Sequence, residues 1–164
     1  QKSDYQYTST NIFAAPKDAT QDIDGLYGQI IYPFLDRWTV TAGMRESSVD
    51  DDNKLNGADN EDSETTTEIG VNWAFMNNLR VFMRRAENIR FANADENAFT
   101  LPGITFLNPQ TGVSKEAGLE FINKRWNAKA TFFDMDIDDR YLLDREYVRS
   151  TGSASMLTVH ISSE

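Results

Sequence analysis

The sequence predicts an all-β fold, an antiparallel up-and-down meander of about eight strands forming a transmembrane β-barrel or an arc of a larger one. Three observations predict it. Apolar and polar residues alternate with period two in stretch after stretch, short polar turns alternate with long connections, and aromatic residues collect beside the short turns.

Taken in order, strands are expected near residues 4–10, 25–34, 38–48, 65–75, 79–90, 113–122, 126–137 and 154–163. In the third, Trp38, Val40, Ala42 and Met44 alternate with Thr39, Thr41, Gly43 and Arg45. In the fourth, Ile69, Val71, Trp73 and Phe75 alternate with Glu68, Gly70, Asn72 and Ala74. The fifth sets Leu79, Val81 and Met83 against Arg80, Phe82 and Arg84, and the sixth sets Ala117, Leu119 and Phe121 against Glu116, Gly118 and Glu120. The seventh places Trp126, Ala128, Ala130 and Phe132 on one parity, and the eighth does the same with Leu157, Val159 and Ile161. Such strands have two chemically different faces, and no helix is needed.

The connections sort by length. LDR, MNN and INKR are tight polar turns. Between these hairpins lie NIFAAPKDATQDID, SSVDDDNKLNGADNEDSE, NADENAFTLPGITFLNPQTG and DDRYLLDREYVRSTG, all expected to be long external loops. Outer-membrane barrels sort their loops in this way, with short turns on the periplasmic side, whereas a soluble sandwich has no reason to. Phe34, Trp38, Trp73, Phe75, Phe121 and Trp126 all fall beside the short turns, where a membrane-interface girdle would lie. The apolar faces would then meet lipid. Arg45, Glu68, Arg80, Arg84, Glu116, Glu120 and Lys129 would face a wet lumen.

Composition narrows the functions. With 164 residues, 16 Lys+Arg against 26 Asp+Glu and a net charge of −10, the chain is expected to form a single β-barrel segment, 1–164, with no basic face for nucleic acid. It has no cysteine and one histidine, His160, which excludes disulfides, thiolate metal sites, cysteine nucleophiles and histidine-based triads. The acidic run Asp50–Glu64 invites a calcium loop, but the calcium-loop template puts Lys54 at a ligand position and Ser63 where the bidentate glutamate belongs. A solvated external loop is the expectation. Asp134 and Asp136 share a parity where a strand is ending, which marks rim residues rather than a catalytic carboxylate pair. No catalytic residue, metal site or cofactor is expected, and an enzyme is the weakest reading. The N-terminus QKSDYQYTST carries no charged-then-apolar leader, as a mature exported chain or a fragment of one would not.

The unit GLYGQIIYPFLDRWTVTAGMRES resembles the hairpin of TonB-dependent outer-membrane receptors, in which an apolar strand, a short turn and a strand with TAG followed by arginine succeed one another. RVFMRRAENIRFANADE, LNPQTGVSKEAGLEF and RWNAKATFFDMDIDD resemble the later barrel of the same family, in the same order. The resemblance implies the bacterial outer membrane, a large barrel with a separate plug domain, uptake of ferric siderophores or similar nutrients, and energy from the TonB complex of the inner membrane. The family has about twenty-two strands, so a middle-to-late portion of a barrel without its plug is expected. The alternatives are a small independent outer-membrane barrel, closed by its own eight strands, and a surface-binding β-protein with no transport role.

The four arginines of LRVFMRRAENIR then acquire positions. Arg80 and Arg84 take the lumen parity, with Glu68, Glu116 and Glu120 on neighbouring strands as partners. Arg85 falls on the apolar parity near the outer end, to be accommodated by snorkelling or by a bulge. Arg90 opens the external loop. Because the family's plug sits against this wall, the resemblance makes Arg80, Arg84, Arg90, Glu116 and Glu120 the candidate plug- or ligand-facing set. A wall of ion pairs without ligand contact is the preferred reading of the same residues.

Overall fold

The computed structural model describes residues 2–7, 17–55, 57–98, 106–138 and 152–163. They form strands β1 (Lys2–Tyr7), β2 (Lys17–Phe34), β3 (Trp38–Asn53), β4 (Ala58–Met76) and β5 (Leu79–Arg90), a single helical turn α1 (Ala94–Ala98), and strands β6 (Gln110–Ile122), β7 (Trp126–Asp138) and β8 (Gly152–Ser163). The strands make one eight-stranded sheet in sequence order, every neighbouring pair antiparallel. β1 and β8 are its edges, so the sheet is an open arc rather than a barrel closed on itself.

Register carries the period-two pattern across the arc. Tyr32, Val40, Val71, Met83, Ala117, Phe132 and Leu157 are successive cross-strand partners, and so share one face. The next row toward the short turns runs through Phe34, Trp38, Trp73, Val81, Leu119, Ala130 and Val159. This face has no second layer over it: Ile30, Met83, Phe132 and Leu157 are 70%, 61%, 50% and 68% exposed. A soluble sandwich would have buried these side chains, since about 25 cal/mol is gained per Å² of apolar surface removed from water.

The upper margin of the apolar belt is oblique to the rows. It steps from Leu26 on β2 to Met44 on β3, Ile69 on β4 and Met83 on β5, and each step is one row closer to the short turns. Strands of a barrel tilt by about 35–45°, so a belt level with a membrane must cross hydrogen-bonded rows at a slant.

Beyond that margin the strands continue, contrary to expectation. β2 begins at Lys17 rather than near residue 25, β3 runs to Asn53, and β4 starts at Ala58. The acidic segment 50–64 is therefore mostly a paired hairpin, with Asp50 opposite Glu61 and Asn53 opposite Ala58, and not a long loop. Its tip is tight. Gly57 adopts φ +66 and donates its N–H to the Asn53 carbonyl at 2.9 Å, a left-handed geometry that glycine takes without a Cβ clash. The antiparallel ladder needs no apolar face, so two polar faces are tolerated where both meet water.

Other boundaries differ less. The first strand lies at Lys2–Tyr7, and the last part of its expected range, 8–10, is outside the described residues, as is the connection 139–151. The register between β4 and β5 is continuous through Arg85; the one irregularity lies between Trp73 and Met76, where an extra residue on β4 is accommodated beside the Asn77-Asn78 turn. Arg85 is thus not turned by a bulge.

A small buried core exists, at the outer end of the polar face. Val49, Ala86, Phe91, Ala92 and Ala94 are buried there, together with Gln21, Ser47, Asp51, Asn97 and Ser114. The connection after β5 folds back over the sheet, α1 packing on β2 and β1. Gln21 donates one amide to Asp51 Oδ1 at 2.8 Å and to the Ala92 carbonyl at 2.7 Å, and Asn97 donates to Asp51 Oδ2 at 3.3 Å. Asn97 Oδ1 accepts from the Leu107 N–H at 3.0 Å, fastening both ends of the connection. Burial pushes the Asp51 carboxyl above its ordinary range, against the opposing effect of the Gln21 bond.

Candidate functional site

The polar face gathers the charged residues of five strands into one wall. Glu68 lies at its centre because β4 places it opposite Gly43 on β3 and Ala86 on β5, two neighbours too small to cover it. A Cβ on Gly43 would stand 2.7 Å from Glu68 Oε1, so the glycine leaves room for the carboxylate to lie across β3 toward β2. There Tyr27 donates its hydroxyl to Glu68 Oε1 at 2.5 Å and Gln29 donates its amide at 2.7 Å. From the other side Arg84 donates to Glu68 Oε2 at 2.7 Å and reaches Glu116 at 3.8 Å. Nearer the short turns Arg80 pairs with Glu120 at 3.1 Å, and Lys129 sits 4.9 Å above the Phe82 ring. That ring itself covers Gly118, an aromatic filling the gap a glycine leaves in a strand.

The candidate set thus divides. Arg80, Arg84, Glu116 and Glu120 are brought together on one face as mutual ion-pair partners. Arg90 shares their parity but is turned to the returning connection, where Glu96 takes its guanidinium at 2.6 Å and accepts the Asn93 N–H at 2.8 Å. Tyr27 and Gln29 are not in the candidate set: the stretch 25–34 is mostly apolar and carries no charge, and only cross-strand register carries their side chains to Glu68. Arg45 is the other omission. It lies over Gly25, is exposed, and among the described residues makes no ion pair or hydrogen bond.

An open cleft of about 520 Å³ lies between Arg45, Tyr27, Glu68, Arg84 and Asn88, and a second of about 380 Å³ lies on the short-turn side of Glu68, lined by Gln29, Asn72, Phe82 and Glu116. The first has on its wall the Arg45 guanidinium, without an ion-pair partner among the described residues, and a second, Arg84, shared between two acids. Two guanidiniums on one wall suit an anionic group. Among the described residues no three carboxylate or imidazole side chains converge on one point.

The six aromatics beside the short turns also share the apolar face. Trp38 and Trp73 stack with centroids 5.0 Å apart and planes 10° apart, and Phe75 meets Trp73 edge-on at 4.9 Å. Phe34 pairs with Trp38, Phe121 lies opposite Leu79, and Trp126 begins β7 opposite Ser163. His160 lies opposite Lys129 on the polar face. Asp134 and Asp136 lie on the apolar parity above the belt, Asp134 accepting a hydrogen bond from Ser155.

A family model described as TonB dependent receptor-like, beta-barrel matches residues 1–160. No curated protein sequence matches the chain. Among solved structures, the ferric yersiniabactin uptake receptor FyuA from Yersinia pestis is similar with a TM-score of 0.69 at 14% identity, over 89% of this chain and 24% of that one. The alcaligin outer membrane receptor FauA from Bordetella pertussis is similar with a TM-score of 0.68 at 14% identity, over 99% of this chain and 31% of that one. The copper transporter OprC is similar with a TM-score of 0.67 at 12% identity, over 88% and 25%. At these identities the likeness is one of fold, and the chain spans a quarter to a third of the length of these structures.

Proposed function

Because the chain belongs to the TonB-dependent receptor β-barrel family, we propose that it forms one wall of a bacterial outer-membrane receptor barrel that takes up a ferric siderophore or similar nutrient. Its apolar face meets lipid, with the short-turn aromatics at the periplasmic interface, and its polar face lines the lumen. The family is one of receptors and transporters, not of enzymes. The plug packs against the Arg80–Arg84 wall, edge strands β1 and β8 pair with further barrel strands, and the TonB complex supplies the energy. Chelate anions meet the wall at Arg45 and Arg84, whose cleft opens toward the outer end.

The observation that carries the reading is the unbroken parity of the apolar face across seven strands, with no second layer over it and bounded by an oblique upper margin. It is supported by the charged opposite wall, which would be out of place in a protein core. Cysteines placed at Val71 and Leu119 are expected to react with a lipid-soluble reagent and resist a water-soluble one, with the reverse at Asn72. Water-accessible labelling at Val71 in intact outer membranes would sink the proposal. Uptake of a ferric chelate by cells carrying Arg45→Ala is expected to fall severalfold while receptor abundance is unchanged.

A further inference from the structure

The sheet forks at the end opposite the short turns. β4 pairs with β5 only as far as Glu68 opposite Ala86, although β4 extends outward to Ala58 and β5 to Arg90. Over Ala58–Thr67 the strand is laddered to β3 alone, and β5 beyond Ala86 is laddered to β6 alone. The inward course of the connection after β5, which lays α1 on β2, takes that chain away from the β4 extension.

At the fork Thr67 gives its N–H and hydroxyl to the Glu87 carboxylate at 3.1 Å and 2.7 Å, a side chain standing where a ladder carbonyl would serve. The Thr67 N–H therefore points away from β3. Alternate residues of a strand aim their backbone groups to the same side, so Thr65, Ser63, Glu61 and Asp59 present N–H and C=O to the gap. Ser63 shows the consequence: its N–H is taken by the adjoining Asp62 carboxylate at 2.8 Å, in place of a strand. All of these edge residues are exposed. Among the described residues nothing accepts the N–H of Thr65, Glu61 or Asp59.

A row of unpaired backbone donors and acceptors is a template for another strand. Charge decides which strand it admits. Asp59, Glu61, Asp62 and Glu64 lie along the edge, with Asp52 opposite Asp59 and Asp50 opposite Glu61 on β3. None of these carboxylates has an ion-pair partner among the described residues. The same edge of a second copy would oppose acid to acid, which destabilises a strand pair, whereas lysine or arginine opposite the acids stabilises it. The acids guard the edge against self-association and leave it open to a cationic chain.

We propose that the β4 edge from Asp59 to Thr65 binds an extended Lys- or Arg-rich peptide segment of about seven residues by strand addition, antiparallel to β4 in the place that β5 vacates. Basic side chains of one parity meet Asp59 and Glu61, and those of the other meet Asp62 and Glu64. The membrane orientation proposed above places this edge outside the cell; the pairing itself does not rest on it.

The test uses the full-length receptor in detergent micelles and synthetic probes: a heptapeptide of lysine and threonine, the same peptide N-methylated throughout its backbone, and a heptapeptide of glutamate and threonine. Only the first is expected to bind tightly. N-methylation weakens it by about tenfold or more through the lost ladder bonds, and raised salt weakens it further. The Glu61 and Thr65 amides are expected to exchange freely without peptide and to be protected with it, while those of Asp62 and Glu64, which face β3, do not change. Thr65→Pro removes an edge N–H and leaves the β3 ladder intact, and is expected to weaken binding severalfold. Equal binding of the N-methylated or the glutamate peptide overturns the inference. Protection of Glu61 and Thr65 before peptide is added also overturns it, because the receptor's own chain or a second copy then fills the edge. The probes are compared on the unsubstituted protein, so the outcome stands even where Thr65→Pro does not fold. A receptor embedded in outer membranes that binds none of the probes overturns this inference alone. Binding in micelles with none to intact cells overturns the outward placement, and the membrane orientation with it.

Discussion

At Gly118 a single missing side chain fixes the geometry of the wall. A Cβ there would stand 2.5 Å from both the Ala130 carbonyl and the Phe82 ring, and the carbonyl belongs to the β6–β7 ladder and cannot retreat. Gly118→Ala is therefore expected to destabilise the barrel by about 1–3 kcal/mol, in the range of other overpacked sites. At Gly28 a Cβ meets nothing within 4 Å, and Gly28→Ala is expected to be neutral or slightly stabilising. Urea midpoints of the two variants in lipid vesicles separate these outcomes, and a Gly118→Ala midpoint equal to that of Gly28→Ala would contradict the packing described. Neither glycine is distinguishable in the sequence, since both sit mid-strand. Arg80 and Arg84 are different: parity alone put them on the polar face, yet only the register decided that Arg84 bridges Glu68 and Glu116 while Arg80 takes Glu120.

Among the elements, β5 was legible to the residue, because a turn and an apolar alternation mark its start and a charge cluster its end. The extensions of β2, β3 and β4 were not. Past the belt both faces meet water, the period-two signal disappears, and Asp50, Asp51 and Asp52 look like loop although they are paired. The run Asp50–Glu64 carries no apolar alternation on either side of Gly57, so in the sequence it reads as a solvated loop and not as a hairpin tip. Docking of α1 over this extension carries a pH dependence. Asp51 has its pKa raised in the folded state by burial, so its contribution is fully present below the ordinary aspartate value of 3.8 and is lost as pH rises through the raised value. Hydrogen-exchange protection at the Leu107 amide, corrected for intrinsic rate, is expected to fall over that window and to flatten in Asp51→Asn. Protection that rises with pH would mean that the charged carboxylate is the better acceptor for Gln21 and Asn97.

At the scale of the molecule, the oblique margin of the apolar belt makes a quantitative demand. Val71 lies well inside the belt and Thr65 lies beyond it on the same strand and the same face. Val71→Arg is expected to cost about 2–4 kcal/mol on refolding into bilayers and Thr65→Arg close to zero, the depth dependence of a cation on a lipid-facing strand. Similar costs at both positions would place the boundary elsewhere. The slope also explains why the candidate girdle had to be found by nearness to turns and not by rows. Trp126 and Phe34 lie on different rows of the ladder at the same short-turn margin of the sheet.

The sequence by itself determined which face each residue occupies in the apolar belt and the all-β meander, because side-chain alternation along a strand is a local property set by backbone geometry alone. Tertiary structure decided where the strands stop, which acid each arginine takes, that Tyr27 and Gln29 join Glu68, and that the connection after β5 folds inward onto Asp51. These depend on register and stagger between strands distant in the chain, and one residue of slip would pair every side chain with a different neighbour. The arginine-rich end of β5 shows the division: its parity is readable in the sequence, while the partners of Arg84, Glu68 and Glu116, meet it only where β4, β5 and β6 come together.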